Sequence, residues 1–320
     1  MRRPLLPANN HVKGGGGKGA ADTEFEQAKK DAITSELNKE FAVMPVGGQV
    51  VIMREHVGRN KDEFVLWGVE SLKLWLANQP WVSVGKTDDD GNTKKVSVDK
   101  FWVASPARRQ YNDIVFCPRE EVSDAYYNLW KGFGVEQDTS GDSESKCDLF
   151  LAHIRDNVAE GNEDRYNYVI GWFAQMFQKP QEKPGVSLVL RGKHGVGKTI
   201  VGKTIGRLLG KHYVDVADLE QAISKFNSLI LSAILLQVDE GFWAGDKKAE
   251  GKLKDLITNE TQWIQFKFRD LIRVGNFIRL MITGNPDWVA PVPWRWKTDA
   301  LPCFRSGKNT RKTIPTLTPS

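Results

Sequence analysis

Cysteine and histidine are scarce in this chain, three and five residues respectively in 320. Cys117, Cys147 and Cys303 lie far apart, and none has another Cys or a His at metal-ligand spacing. This argues against a local zinc module and against a disulfide-stapled scaffold, and predicts reduced thiols. Long apolar runs are missing too. No stretch approaches a membrane span, and the N-terminus lacks the apolar core of a secretion signal, so a soluble, cytoplasmic chain without membrane contact is expected. Nor does one charge dominate: 45 Lys and Arg against 40 Asp and Glu give a net charge of +5. Such a balance permits contact with nucleic acid without requiring it. What the chain does have is 40% hydrophobic residues, with eleven tryptophans, enough for a packed interior. Its length fits two domains, or one with a substantial extension.

Composition and periodicity divide the chain into five stretches. Residues 1–22 are basic and then glycine-rich, the pattern of a flexible lead. Residues 23–118 read as a small α+β unit of no legible role. Its helix would carry Phe25, Ala28, Ala32, Ile33 and Leu37 on one side, followed by a hairpin turning at Gly47-Gly48. Residues 119–183 read as a helical domain, with helices around Tyr126, Tyr127 and Trp130, over 149–158, and over 166–177. Tyr166, Tyr168, Trp172, Phe173 and Phe177 recur at helical spacing, which favours core over base stacking. His153 reads as a structural or surface residue. The last two stretches are 184–292, an α/β core, and 293–320, an irregular tail.

The α/β core carries the chemistry. Gly192-Lys193-His194-Gly195-Val196-Gly197-Lys198-Thr199 is a full Walker A match. It lies between the apolar run Val186–Leu190 and a helical pattern through Leu209, the strand–loop–helix context that the motif requires. Backbone N–H groups of this loop would cradle nucleotide phosphates, Lys198 would reach the β- and γ-phosphates, and the Thr199 hydroxyl would ligate Mg²⁺. A tandem repeat of Val-Gly-Lys-Thr-Ile creates a second match ending at Thr204. No strand precedes it, so Gly202 and Lys203 are assigned to the helix. A run ending in Val238-Asp239-Glu240 then supplies a Walker B: Asp239 for the magnesium, Glu240 to polarise the attacking water. A third apolar strand, Phe277 to Gly284, delivers Asn285, an amide placed to sense the γ-phosphate. Between them, Trp263 to Arg273 alternates apolar and polar residues as a hairpin with cations at Lys267, Arg269 and Arg273. Lysines on an edge strand also serve as protection against aggregation, the lesser alternative for those cations.

Walker A, a close Walker B, a basic hairpin and an Asn-terminated strand, in that order, resemble the superfamily 3 helicases of viruses, phages and plasmids. The wording of Asp239-Glu240-Gly241-Phe242 and Thr283-Gly284-Asn285-Pro286-Asp287-Trp288-Val289 is similar to the helicase part of phage primase–helicases. The resemblance implies a P-loop NTPase fold of AAA+ type: a mostly parallel sheet with helices on both faces. It also implies ATP and Mg²⁺ as cofactors, a homo-hexameric ring, and 3′→5′ movement on single-stranded DNA. Lys267 would grip DNA phosphates in the channel, joined by Arg269, with Lys254 matching a lysine of the preceding motif. A primase module or other replication proteins would be partners, and 1–118 holds no primase carboxylate cluster. Other P-loop machines stay open on the residues alone: a packaging ATPase, a small-molecule kinase, or a nucleotide-binding module without turnover. The last follows from a departure. After Val292-Pro293 the family's arginine finger is expected, yet Trp294-Arg295-Trp296-Lys297 matches nothing in the pattern. Shifted by one nucleotide, that segment is compatible with Gly-Asp-Gly-Arg, which points to a frameshift after about Val292.

Overall fold

The computed structural model describes residues 20–55, 64–87, 93–139, 143–239, 247–284 and 303–305. The chain divides into two compact units, one of residues 1–114 with 123–127, the other of 115–122 with 128–320.

The first unit opens with helix α1 (Ala20–Glu40) and a meander of β1 (Phe41–Val46), β2 (Gln49–Glu55) and β3 (Phe64–Trp67). Gly47 and Gly48 both take positive φ, 56° and 75°, and make the expected two-residue turn between β1 and β2. Helix α2 (Val69–Leu76), a small hairpin of β4 (Val82–Thr87) and β5 (Thr93–Val96), and α3 (Val98–Ala104) complete it. Ile33 and Leu37 of α1, Phe41, Leu72, Leu76 and Trp102 form its core. Phe25, Ala28 and Ala32, expected on the same helix face, are exposed instead. Asn38 explains the precision of this packing: its Oδ1 accepts from Trp102 Nε1 at 2.9 Å and from Arg109 N at 2.8 Å.

Two short strands, β6 (Asp113–Val115) and β7 (Tyr126–Asn128), mark where the chain passes between units. Tyr126 and Tyr127, expected on a helix, lie on a strand. Aromatic, β-favouring side chains dominate that segment, and three apolar residues are too few to fix a helical period.

In the second unit α4 (Ser143–His153) runs into a π-helical turn, Ile154–Val158, and α5 (Glu163–Gln178) follows. Asn162 caps α5 by accepting from Arg165 N at 2.9 Å. Val169, Trp172, Phe173 and Met176 are its buried stripe, so these aromatics are core, whereas Tyr168 is 38% exposed. The remainder is β8 (Leu188–Arg191), α6 (Lys198–Leu209), β9 (Tyr213–Val216), α7 (Leu219–Ile223), β10 (Leu235–Val238), α8 (Lys247–Thr258), the hairpin β11 (Thr261–Gln265) with β12 (Leu271–Gly275), β13 (Arg279–Gly284) and β14 (Cys303–Arg305). Strands β8, β13, β10 and β9 form a parallel sheet, and β14 extends it past β8 in the order β14-β8-β13-β10-β9. Every residue of β10 and β13 is buried, as a parallel sheet covered on both faces requires. Within the stretch expected to be an irregular tail, Cys303 to Arg305 pair with Val189 to Arg191. The rest of 285–320 lies outside the described residues.

A buried arginine ties the helical segment to the sheet. Arg279, 1% exposed at the start of β13, donates to Gln175 Oε1 at 2.8 Å and to the carbonyls of Lys179 at 2.9 Å and Glu182 at 2.6 Å. Burial pushes its guanidinium down to about 10. Beside it, Lys183 donates to Leu256 O and Asn259 O, capping the end of α8.

Candidate functional site

Strand β8 ends at Arg191, and Gly192 N–H donates to Gly284 O at 3.1 Å, so the turn after β8 starts against the end of β13. The loop then uses two glycines in the left-handed region, Gly195 (φ 77°) and Gly197 (φ 85°), where a side chain would be strained. Helix α6 begins at Lys198 with Gly197 as N-cap, so no side chain caps its first N–H groups. An open helix N-terminus of this kind offers donors and a positive dipole end to an anion. The Lys198 side chain is buried, and its Nζ donates to Gly192 O at 2.7 Å and Lys193 O at 2.8 Å. The ammonium therefore lies within the loop and brings charge to its floor.

The carboxylate of Asp239 stands at the end of β10. Its Oδ1 accepts from Gln237 Nε2 at 2.6 Å, Thr283 Oγ1 at 3.0 Å and Thr199 Oγ1 at 3.3 Å. Thr199 and Asp239, the metal pair expected from the sequence, are thus neighbours, held from β10 and β13 at once. Gln237 is fully buried, and its Oε1 accepts from Tyr213 OH at 2.8 Å. Burial, with the charges of Asp215 and Asp239, pushes the Tyr213 phenol above its usual range and keeps it a donor. Helix α6 comes close enough for this contact through two glycines. A Cβ on Gly202 would fall 1.8 Å from Gln237 Oε1, and one on Gly206 would fall 2.4 Å from the Tyr213 ring.

A cleft of ≈ 450 Å³ opens over this constellation, lined by His194, Gly195, Gly197, Lys198, Thr199 and Thr283 among others. Glu240 and Asn285 lie outside the described residues; of the residues that precede them, Gly284 lines the cleft, and Asp239 accepts from Thr199 and Thr283, which line it. The hairpin cations are elsewhere. Lys267 and Arg269 occupy the turn between β11 and β12, Lys254 is exposed on α8, and none of the three lines the cleft. Lys267 is exposed, with its Nζ 5.2 Å from the centre of the Phe268 ring. Reasoning from sequence missed Gln237, Thr283, Tyr213 and His153. A polar residue inside the apolar run Ile234–Val238 was the available signal for Gln237. His153 packs against the loop, its Nε2 3.2 Å from Gly197 O.

Residues 190–300 match a family described as a family of unknown function, DUF5906, and the match extends past Val292. Over 120 residues the chain is 26% identical to the DNA primase-polymerase of Nitratiruptor phage NrS-1, covering 36% of this chain and 16% of that protein. Its fold is similar to apo structures of the NrS-1 C-terminal region. One has a TM-score of 0.56 at 17% identity, covering 86% of this chain and 61% of the other. A second has a TM-score of 0.57 at 18% identity, with 85% and 60% covered. The chain therefore shares its fold with that region and spans less than two thirds of the relatives it resembles.

Proposed function

We propose that this chain is an ATP-hydrolysing motor of phage-type DNA replication, a superfamily 3 helicase that moves on single-stranded DNA. One observation carries it: an uncapped helix N-terminus, Lys198 and Thr199 line one cleft at the ends of parallel strands, and the Asp239 carboxylate accepts from Thr199 and Thr283 of that lining. Ligands of a nucleotide site in an open α/β sheet are expected at such carboxyl ends. The strand order supports a P-loop NTPase of AAA+ type, since β13 lies between the loop-bearing β8 and the acidic β10. The likeness to a phage primase-polymerase supports a replication role.

The residues present fit the cofactors. Among the described residues no group of three or more His, Cys, Asp or Glu gathers to hold a metal. A Mg²⁺ held by Thr199 and Asp239 would draw its other ligands from phosphates and water, as this ion commonly does. When bound, Mg²⁺ neutralises charge on the phosphates. The chain's own residues do the rest: Lys198 offsets phosphate charge, Gln237 and Thr283 orient Asp239, and Glu240 polarises water. Lys267, Arg269 and Lys254 contact DNA phosphates in a ring of like subunits. The test is ATP hydrolysis with and without single-stranded DNA. Hydrolysis stimulated by DNA supports the motor; hydrolysis indifferent to DNA selects another P-loop machine. Binding without hydrolysis selects a nucleotide-binding module lacking its arginine finger.

A further inference from the structure

Helix α4 ends at His153, and Ile154–Val158 then winds as a π-turn, closed by Ala159 N–H donating to Ile154 O at 2.8 Å. Such turns are rare and concentrate at functional sites, where they re-aim side chains. At this turn His153 and Asn157, four apart and so neighbours on the helical surface, meet at the phosphate loop. Asn157 Nδ2 lies 3.0 Å from His153 Nδ1, and His153 Nε2 lies 3.2 Å from Gly197 O. The amide nitrogen of Asn157 can only donate, so Nδ1 accepts and the ring proton sits on Nε2. From there it donates to the Gly197 carbonyl. The ring lies close enough to the loop that a Cβ on Gly197 would fall 2.5 Å from His153 Cε1.

We propose that His153 is a positioning residue of the phosphate loop, held in one tautomer by Asn157, and that it fixes the Gly197–Lys198 peptide in its anion-binding orientation. This inference rests on the nucleotide reading above. In a trans peptide the carbonyl and the next N–H point in opposite directions. Holding the Gly197 carbonyl toward His153 therefore turns the Lys198 N–H the other way. As N-cap, the Gly197 carbonyl already accepts the first helical bond of α6; His153 is a second restraint on the same peptide, next to a glycine at φ 85° that has no side chain to hold it, and losing it loosens the aim of the first donor of α6. The hydrogen bond also makes the α4 segment part of the nucleotide site, although none of its residues needs to touch the ligand.

The experiment is calorimetric titration of Mg·ATP into the whole chain, with thermal unfolding of each variant in parallel. His153→Leu fills the space without a donor and should weaken binding by roughly fivefold, the effect of removing one neutral hydrogen bond, while the unfolding temperature holds. His153→Gln carries an amide N–H of similar reach and should restore most of it. If His153→Leu does not fold, Asn157→Leu serves instead and should weaken binding by releasing the tautomer. Unchanged affinity in the folded Leu variant overturns the proposal. Weakening that Gln fails to rescue overturns it as well, leaving the ring as packing alone. A wild-type chain that binds no Mg·ATP overturns the nucleotide reading itself, and this inference with it.

Discussion

Gly202 gives the sharpest test of how the sheet supports the site. It lies inside α6, where alanine would ordinarily stabilise by about 1 kcal/mol. Here the added methyl would meet Gln237 Oε1 at 1.8 Å, Gln237 Cδ at 2.8 Å and Met281 Sδ at 3.0 Å. Gln237 cannot swing aside without loss. It is fully buried and bonded to Tyr213 OH on one side and to Asp239 Oδ1 on the other. Overpacking costs about 1–3 kcal/mol. Buried polar groups left unpaired cost about 1–3 kcal/mol more. Less the helix gain, Gly202→Ala should destabilise by about 1–5 kcal/mol. In a Gln237→Ala background only Met281 Sδ at 3.0 Å still has to give, and the same change should be neutral or stabilise by up to about 1 kcal/mol. A coupling of at least about 1 kcal/mol between the two sites follows. Urea unfolding of the four proteins measures it. Gly202→Ala that is neutral alone, or equally costly in both backgrounds, would refute the close approach of α6 to the acidic strand.

Three further outcomes follow from the assigned roles. Lys267→Ala should leave basal ATP hydrolysis intact and, in assembled protein, reduce the salt dependence of single-stranded DNA binding by a slope of about 0.7 for each phosphate that is no longer neutralised; an unchanged slope leaves the hairpin as a protected sheet edge. Glu240→Gln should keep nucleotide affinity and abolish turnover, whereas weakened binding would make Glu240 structural. Burial, with Arg279 nearby, lowers Lys183 from 10.5 to about 7. Between those values the unfolded chain binds more protons than the folded one, so this group makes stability rise as pH climbs from about 7 toward 10.5, and the penalty is complete below that window. Chemical denaturation across this range should show the rise in wild type and its absence in Lys183→Gln; equal profiles would contradict the burial of that ammonium.

The loop, helix and acidic strand are legible in the sequence because each is local. Gly192 to Thr199 is contiguous, and the apolar run before Asp239 marks its own strand. The Gly47-Gly48 turn and the β11–β12 hairpin are legible for the same reason, through φ-permissive glycines and period-two alternation. What escapes depends on contacts distant in sequence. Nothing near Thr283 or Gln237 announces that both donate to one carboxylate oxygen; that needs the parallel register of β10 and β13. His153 has a plain structural reading because Gly197 is 44 residues further along the chain, and only the fold brings them together. The stretch from Tyr126 to Trp130 suits a helix on its spacing because three aromatics fit either period. Strand β14 is illegible because three residues carry no pattern.

The central claim is that the turn between β8 and α6 takes the phosphates of a nucleotide. Calorimetric titration of Mg·ATP into wild type and Lys198→Ala, each checked for folding, tests it most directly. The Lys198 ammonium is buried within the loop, on the carbonyls of Gly192 and Lys193. Removing a charge-assisted hydrogen bond of about 1.5–3 kcal/mol should weaken affinity by about tenfold or more. Saturable wild-type binding that collapses in the folded variant is the predicted result. Equal affinity in the two proteins, or none in wild type, would contradict it.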